Sequence, residues 1–179
     1  MLKNKLHLGC GTKHIDGFIN IDGRNLDEVD IVANIKTLET FQENSIELIY
    51  ACHVLEHVGR NDYMAVLKRW YDLLEPNGTL RLAIPDVEQV FNHYSQFKNL
   101  KQLRGLLWGG QTHHLNYHYV GWDFKTICDD LIEVGFKSVY RYDWRKTDHA
   151  HIDDYSQCYM PHMDKENGML MSLNIEAIK

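Results

Sequence analysis

Two glycines flank a cysteine directly after the first apolar run of the chain. The run Lys5–Leu8 has the length and composition of a buried strand, and Gly9-Cys10-Gly11 follows it at once. Glycine lets the backbone turn sharply after a strand and approach a bound ligand closely, as nucleotide-binding folds require. A plain tight turn also explains so short a motif. The motif therefore predicts a turn and leaves the ligand open.

An acidic residue follows the second apolar run. A carboxylate that ends the second strand of a nucleotide-binding fold can accept hydrogen bonds from both hydroxyls of a ribose. Asp22 lies 13 positions after Gly9, whereas a dinucleotide-binding fingerprint places its acid about 20 positions further on. The segment between the two is too short for a full crossover helix. A turn formed at Asp22-Gly23 is the structural alternative to a ribose contact.

Histidine is unusually frequent, with eleven residues in the chain. His118 lies in an aromatic, polar stretch, and an imidazole with a pKa of about 6.5 is suited to take a proton from a hydroxyl group. A structural histidine that is hydrogen-bonded to the backbone explains it equally well. His113 and His114 offer a third interpretation, a metal site with His118, although no acidic residue lies near them in sequence to complete it. His149 and His151 are assigned to an exposed polar loop.

Short apolar runs alternate with helical patterns along the chain, which is typical of βαβ units and a mostly parallel sheet. Helical apolar spacing begins after Asn61, after Val87 and after Asp123, and the stretch 91–122 lacks strand character. No internal repeat or linker divides the chain, so residues 1–179 are predicted to form a single domain. Seven strands are expected, at Lys5–Leu8, Phe18–Ile21, Val29–Ala33, Ile46–Ala51, Thr79–Ile84, Phe136–Tyr142 and Met169–Ile178.

Composition argues against several classes of protein. The formal net charge is −6 and the basic residues are scattered, whereas a nucleic-acid partner requires a basic patch. No apolar stretch approaches the roughly 20 residues of a membrane span. The four cysteines are widely spaced, without the clustering of a disulfide framework or zinc finger. We therefore expect a cytoplasmic protein with free thiols and with neither a nucleic-acid nor a membrane partner.

Four segments in a fixed order resemble those of class I S-adenosylmethionine (SAM)-dependent methyltransferases. They are LHLGCGTKHIDGFINID, NSIELIYACHVLEHV, LLEPNGTLRLAIPD and LIEVGF. The similarity covers essentially the whole chain and is closest to a compact bacterial-type branch often associated with surface-glycan biosynthesis. It implies SAM as cofactor and an α/β, doubly wound, Rossmann-like sheet of seven mostly parallel strands. The implied strand order is 3-2-1-4-5-7-6, with the last strand antiparallel.

The resemblance also assigns cofactor contacts to the ends of the first two strands. The turn Gly9, Cys10 and Gly11 would cradle the methionine part of SAM. Asp22 would hold the ribose. These assignments agree with the chemistry of a glycine turn and of a carboxylate at the end of a second strand.

Further cofactor contacts are implied after the third and fourth strands. Asn34, with Ile35, occupies the place of the residue that meets the adenine amine. The family more often has aspartate there, so Asn34 can accept a hydrogen bond but brings no charge. Cys52 and His53 would line the sulfonium end of the cofactor.

On the acceptor side, related enzymes also place a histidine, which here is His118. It is the predicted catalytic base for a small-molecule or sugar acceptor that is methylated on a hydroxyl, and no metal is predicted. Glu56 and His57 fit the family pattern and serve either in structural hydrogen bonds or in cofactor contact. Four aromatic residues would suit a sugar ring, or else belong to the core: Trp108, Tyr117, Tyr119 and Trp122.

Two other functions stay open at this point. The chain can be an oxidoreductase or epimerase that uses a nicotinamide dinucleotide, although the early Asp22 and the missing third glycine disfavour it. It can also be a cofactor- or metal-binding protein without catalysis. Bound SAM, dinucleotide or metal in the purified protein would separate these alternatives.

Overall fold

Hydrogen bonds between strands build one large sheet at the centre of the molecule. The computed structural model describes residues 4–179. Two further strands of two residues each form a separate hairpin-like pair. In chain order the strands are β1 (Lys5–Leu8), β2 (Ile19–Asp22), β3 (Ile31–Val32), β4 (Ile46–Cys52), β5 (Leu74–Pro85), β6 (Ser138–Arg141), β7 (Tyr159–Met160), β8 (Met169–Leu170) and β9 (Ser172–Ile178).

The large sheet has the order β3-β2-β1-β4-β5-β9-β6. Strand β1 pairs in parallel with both β2 and β4, and β4 pairs in parallel with β5. Strand β9 is antiparallel to β5 and to β6. When β7 and β8 are set aside, this is the predicted order 3-2-1-4-5-7-6 with an antiparallel last strand. The order reverses between β1 and β4, and such a point leaves a crevice at the carboxyl ends of the strands.

Four helices connect the strands. Helices α1, α2 and α4 confirm the periodicity read from the sequence. Helix α3, which was not predicted, lies within the stretch 91–122 that lacks strand character. Within residues 4–179, no helix combines the length and the apolar character that a membrane crossing needs. The helices are α1 (Tyr63–Leu73), α2 (Val87–Phe97), α3 (Leu100–Trp108) and α4 (Phe124–Val134), and short 3-10 turns occur at Leu55–His57, Trp144–Lys146 and Tyr155–Gln157.

Side-chain caps fix the ends of two helices. Asp123 accepts a hydrogen bond from the amide of Thr126 at 2.7 Å, at the start of α4. Asp86 accepts one from the amide of Gln89 at 3.2 Å, at the start of α2. Each bond satisfies an amide that has no partner inside the helix. Helix α4 ends at Gly135, whose φ of +123° is a backbone conformation that residues with a side chain rarely adopt.

The strand boundaries differ from the expected ones where tertiary pairing decides them. The third strand is reduced from Val29–Ala33 to two residues, and the sixth is shorter at both ends than Phe136–Tyr142. The run Met169–Ile178 forms two strands, because its first residues pair with β7 and the rest enter the large sheet. Apolar character alone does not distinguish these two partners.

The two faces of the sheet have opposite character, as alternation along each strand requires. One face carries the apolar residues of the core, which pack against the buried sides of α1 and α4. The other face carries a row of polar residues that are register partners across neighbouring strands, namely Asn20, His7, Tyr50, Arg81, Glu176 and Tyr140. A polar row of this kind must be covered by polar partners if it is buried.

The segment after β6 provides that cover, and it corrects the expectation for His149. The side chain of His149 is only 3% exposed, whereas His151 is exposed as expected. His149 packs against the Tyr50 ring in a tilted arrangement, with 4.3 Å between centroids, and its Nε2 lies 3.1 Å from Arg81 Nη1. Tyr50 in turn donates to Asp154 at 2.6 Å. His149 is therefore buried against the polar row, whereas the sequence pattern places it in solvent.

The turn after β1 requires glycine at its first position. Gly9 has φ +63°, and a Cβ atom on it would lie 2.3 Å from Val54 Cγ2. Gly11 also has a positive φ, +56°. The amide of Cys10 donates to the carbonyl of Ile21 at 3.0 Å, which ties the turn to β2. The predicted tight turn is confirmed, and its closest packing partner is the segment that follows β4.

Acid should destabilise the protein partly through His149. Burial, followed by the charge of Arg81, lowers its pKa to about 4. Between pH 4 and 6.5 the unfolded chain binds a proton that the folded chain excludes, so this contribution is complete above pH 6.5 and is lost on acidification. It amounts to about 3 kcal/mol. Denaturant unfolding across this pH range should show that the free energy of unfolding falls less on acidification in His149→Gln than in the parent or in His151→Gln. A parent-like loss in His149→Gln would contradict the assignment.

A second prediction concerns the turn. Gly17 also has a positive φ, +85°, but a Cβ atom there would meet no described atom within 4 Å. Gly17→Ala should therefore cost about 1–2 kcal/mol, from backbone conformation alone. Gly9→Ala should cost a further 1–3 kcal/mol or so, because its methyl group overlaps Val54. Combining Gly9→Ala with Val54→Ala should recover part of that excess in a double-mutant cycle. Equal destabilisation by Gly9→Ala and Gly17→Ala would show that the Val54 side chain moves aside without a cost in stability.

Candidate functional site

A cleft of about 1000 Å³ opens where the strand order reverses. Its floor is formed by residues that follow β1, β2, β3 and β4. Its other walls come from α3, from the segment 110–118 and from the segment 155–162. Of the predicted site residues, those that line it are Gly9, Asp22, Asn34, Ile35, His53 and His118.

Three predicted cofactor residues are not in the described lining of the cleft. Cys10 is buried, 3% exposed, and its backbone carries the bond to β2. Cys52 packs against a small apolar cluster on the polar side of the sheet. Gly11 enters the site through its backbone, because its amide donates to Asp22 Oδ2 at 2.9 Å. The structure thus gives Gly11 a role in positioning a carboxylate.

Asp22 is a buried carboxylate whose oxygens are already engaged. Its Oδ1 accepts from the Arg24 amide at 2.9 Å and from Arg24 Nε at 3.0 Å. Burial would raise the pKa of Asp22, but the hydrogen bonds from Arg24 and Gly11 outweigh it and lower the pKa. The carboxylate is therefore ionised at neutral pH. Arg24 was not among the predicted site residues, although its position two residues after Asp22 is a usable signal.

Arg24 also reaches the opposite wall of the cleft. Its Nη1 lies 3.1 Å from His113 Nε2. Since a guanidinium can only donate, the His113 nitrogen accepts this hydrogen bond. One side chain therefore joins the end of β2 to the segment 110–118.

Asn34 and Ile35 lie on the cleft wall after β3, as predicted. The Asn34 amide oxygen accepts a hydrogen bond from the backbone amide of Lys36 at 3.0 Å. An amide oxygen has two lone pairs, so one acceptor position stays available for a ligand. The amide oxygen of Asn34 can therefore still accept the hydrogen bond that the adenine assignment requires.

The opposite end of the cleft brings together residues from two distant segments. The 3-10 turn after β4 carries Glu56 and His57, and the amide of Tyr119 donates to the Glu56 carbonyl at 2.8 Å. This contact places His118 beside the turn. The His57 and His118 rings meet edge to face, with centroids 4.7 Å apart.

Both imidazoles are oriented by backbone carbonyls. His57 Nδ1 lies 3.0 Å from the Tyr117 carbonyl oxygen, and His118 Nδ1 lies 2.9 Å from that of Leu106. A carbonyl oxygen only accepts, so each Nδ1 carries a proton and each Nε2 keeps a lone pair in the neutral ring. Both residues line the cleft.

Burial controls the charges in this cluster. It raises the pKa of Glu56 to about 8 and lowers that of His53 to about 3. Burial, with His118 beside it, lowers the pKa of His57 to about 4. Burial also lowers the pKa of His118. At neutral pH these imidazoles are uncharged, and none of them provides a positive partner for Glu56.

The four aromatic residues considered for a sugar ring do not form a wall of the cleft. None of them belongs to its lining within the described chain. Trp122 is a core residue, and its indole nitrogen donates to Asp130 at 2.9 Å. Trp108 and Tyr119 are exposed on the surface. Instead, the unexpected segment 155–162 contributes Tyr155, Met160 and other residues to the cleft. No sequence motif marks that segment.

Comparison with known proteins agrees with the fold. Residues 11–82 match the family model for a methyltransferase domain. No curated protein matches the sequence. A SAM-dependent methyltransferase from Thermotoga maritima superposes with a TM-score of 0.62 at 14% identity, covering 98% of this chain and 82% of its own. One from Archaeoglobus fulgidus gives 0.57 at 14% identity, with coverage of 98% and 85%.

A third similar structure is the 1,6-didemethyltoxoflavin-N1-methyltransferase of Burkholderia thailandensis, which contains its substrate and S-adenosylhomocysteine. It superposes with a TM-score of 0.58 at 13% identity, covering 98% of this chain and 70% of its own. At these identities the similarity establishes the fold, which is the Rossmann-like methyltransferase fold expected from the sequence. The family match and the fold together support the predicted class of enzyme, a SAM-dependent methyltransferase.

Proposed function

We propose that this protein transfers the methyl group of SAM to a hydroxyl group of a small-molecule acceptor. The observation that carries the proposal is a single cleft that is lined both by an ionised, backbone-anchored Asp22 and by neutral histidines. The carboxylate suits a nucleoside, and the histidines suit an acceptor that must lose a proton.

The residues of the cleft fit SAM. Asp22 offers carboxylate oxygens for the ribose, and Asn34 offers an amide on the wall where adenine would lie. Gly9 has no side chain to occupy the space beside β1. Arg24 holds Asp22 through Oδ1, so the ribose hydroxyls would share the carboxylate with it or displace it. Cys10, Gly11, Cys52 and His53 remain proposed contacts, the first two through their backbone.

His118 is the proposed catalytic residue. When bound, SAM supplies an electrophilic methyl group, which is the difficult part of the chemistry. The task left to the protein is to align the acceptor and to receive its proton. His118 Nδ1 is committed to Leu106, and its Nε2 is free to take that proton. A lowered pKa keeps the ring neutral, and therefore able to act as a base, at neutral pH.

We further propose a sugar or a sugar derivative as the acceptor. The resemblance to a branch associated with surface-glycan biosynthesis supports this choice, and the cleft histidines can hydrogen-bond to hydroxyl groups. The four cysteines are free, which supports a reducing compartment such as the cytoplasm. Residues 1–179 are proposed to work as one domain. Mass spectrometry of the purified protein should detect SAM or its demethylated product, and a bound nicotinamide dinucleotide would favour the oxidoreductase alternative.

Asp22→Ala should weaken SAM binding at least about tenfold, that is, by 1.4 kcal/mol or more, because the ribose loses its acceptor. Asp27→Ala, a change of an exposed carboxylate in the same loop, is the control. Asp22→Asn keeps an acceptor for the Gly11 amide and separates the ligand contact from the anchoring of the turn. Calorimetry that finds Asp22→Ala equal to Asp27→Ala would remove the ribose assignment.

His118→Ala should lower turnover by roughly 10²–10⁴ and leave SAM affinity unchanged, because it removes the proton acceptor only. Because burial lowers the pKa of His118, the rate in the parent should fall only at a pH below the ordinary imidazole value of about 6.5, where the protonated ring cannot act as a base. The variant should lack this acid limb. His151→Ala, at an exposed site outside the cleft, should retain the parent profile. Sugars, nucleotide sugars and amines serve as trial acceptors, and methylation of amines alone would overturn the hydroxyl proposal.

A further inference from the structure

Three potential ligand atoms converge on the acceptor end of the cleft. The atoms offered by Glu56, His57 and His118 all lie within 4.8 Å of one another. His118 Nε2 is 3.9 Å from Glu56 Oε1. The residues come from two segments of the chain that the Tyr119–Glu56 backbone bond holds together. We propose that they form a binding site for a divalent transition-metal cation such as Zn²⁺.

The spacing of the ligand atoms suits an ion after a small adjustment. Ligands that bind Zn²⁺ tetrahedrally at about 2.1 Å stand about 3.4 Å apart. The three groups therefore need to approach one another by about 1 Å, which rotation of a glutamate side chain and two imidazoles provides. Two imidazoles and one carboxylate form a ligand set that is known for zinc and for other first-row divalent cations.

The histidines carry the outer contacts of metal ligands. In metal sites, a ligating imidazole usually donates its other nitrogen to a carbonyl or carboxylate, which fixes its orientation. Here His57 Nδ1 and His118 Nδ1 both meet backbone carbonyls. Each Nε2 is thereby left with a lone pair, and that of His118 lies 3.9 Å from Glu56 Oε1.

Glu56 provides a second, independent observation. Its side chain is 0% exposed, and within residues 4–179 neither carboxylate oxygen has a hydrogen-bond partner. His53 Nδ1 lies 3.3 Å from Oε1 without the geometry of a hydrogen bond. A buried, unpaired carboxylate is costly, and a cation removes that cost.

The open side of the site faces the cleft. His57 and His118 line the cleft, while Glu56 lies behind them. A cation held by three protein ligands keeps at least one position for water or for an oxygen of the acceptor. The binding of an acceptor oxygen to the cation rests on the proposed function. The binding of the cation itself does not. A hydroxyl bound to the cation would be more acidic and would release its proton to water. His118 would then serve as a ligand of the cation, in place of the proton-accepting role proposed above.

Titration of the chelator-treated full-length protein tests the site. Co²⁺ binding is followed by its visible absorption and Zn²⁺ binding by calorimetry. We expect one ion per chain, with His57→Ala and His118→Ala each weakening binding by about 100-fold or more and Glu56→Gln by about tenfold or more. His114→Ala, a change of a cleft histidine outside the cluster, should bind the ion like the parent. Circular dichroism verifies folding, and His57→Gln and His118→Gln replace any alanine variant that does not fold.

The outcomes separate this inference from the proposed function. Unchanged stoichiometry and affinity in the folded His57, His118 and Glu56 variants would overturn the metal site, as would an equal loss in His114→Ala. SAM binding is measured on the same chelator-treated samples. SAM binding without specific metal binding would refute only the metal site. Specific metal binding without SAM binding would refute the proposed function and leave the site intact.

Discussion

Close packing of the Gly9 backbone against Val54 joins the two halves of the cleft. A side chain on Gly9 would occupy the position of Val54 Cγ2. Val54 directly precedes the 3-10 turn that carries Glu56 and His57. The turn after β1, on the proposed cofactor side, therefore packs directly against the turn after β4, on the proposed acceptor side. Because β1 and β4 are also hydrogen-bonded neighbours, both sides share one rigid floor.

The sequence predicted the fold well because local signals and sheet topology agree. A glycine follows β1 and an acid ends β2, and each marks the boundary of its strand. Strand β1 was predicted with its observed limits. The helices α1 and α4 have apolar faces that match a sheet with one apolar side. The prediction failed at β3, at Met169–Ile178 and at His149. The partners of His149, Tyr50 and Arg81, lie far away in sequence. At the two strands, the apolar run does not report where pairing begins or which strand it joins.

The site was predictable only in part, and for the same reason. Gly9 and Asp22 follow strands, and strand ends gather at one edge of a parallel sheet. The neighbours of His118 are set instead by a backbone bond between Tyr119 and Glu56. Spacing along the chain suggested His113 and His114 as companions of His118, but the structure groups His118 with Glu56 and His57. The contact of Arg24 with His113 across the cleft has no local signal either.

Two buried carboxylates face opposite electrostatic conditions at the two ends of the cleft. Asp22 has a guanidinium beside it and an amide donor, so its charge is stable in the folded protein. Within residues 4–179, the ionisable side chains in contact with Glu56 are the imidazoles of His53 and His118, and burial lowers their pKa values so that they are neutral. A carboxylate without a positive partner must be neutralised by a proton or by a bound cation. The acceptor end of the cleft thus has a requirement for positive charge that does not depend on which acceptor binds there.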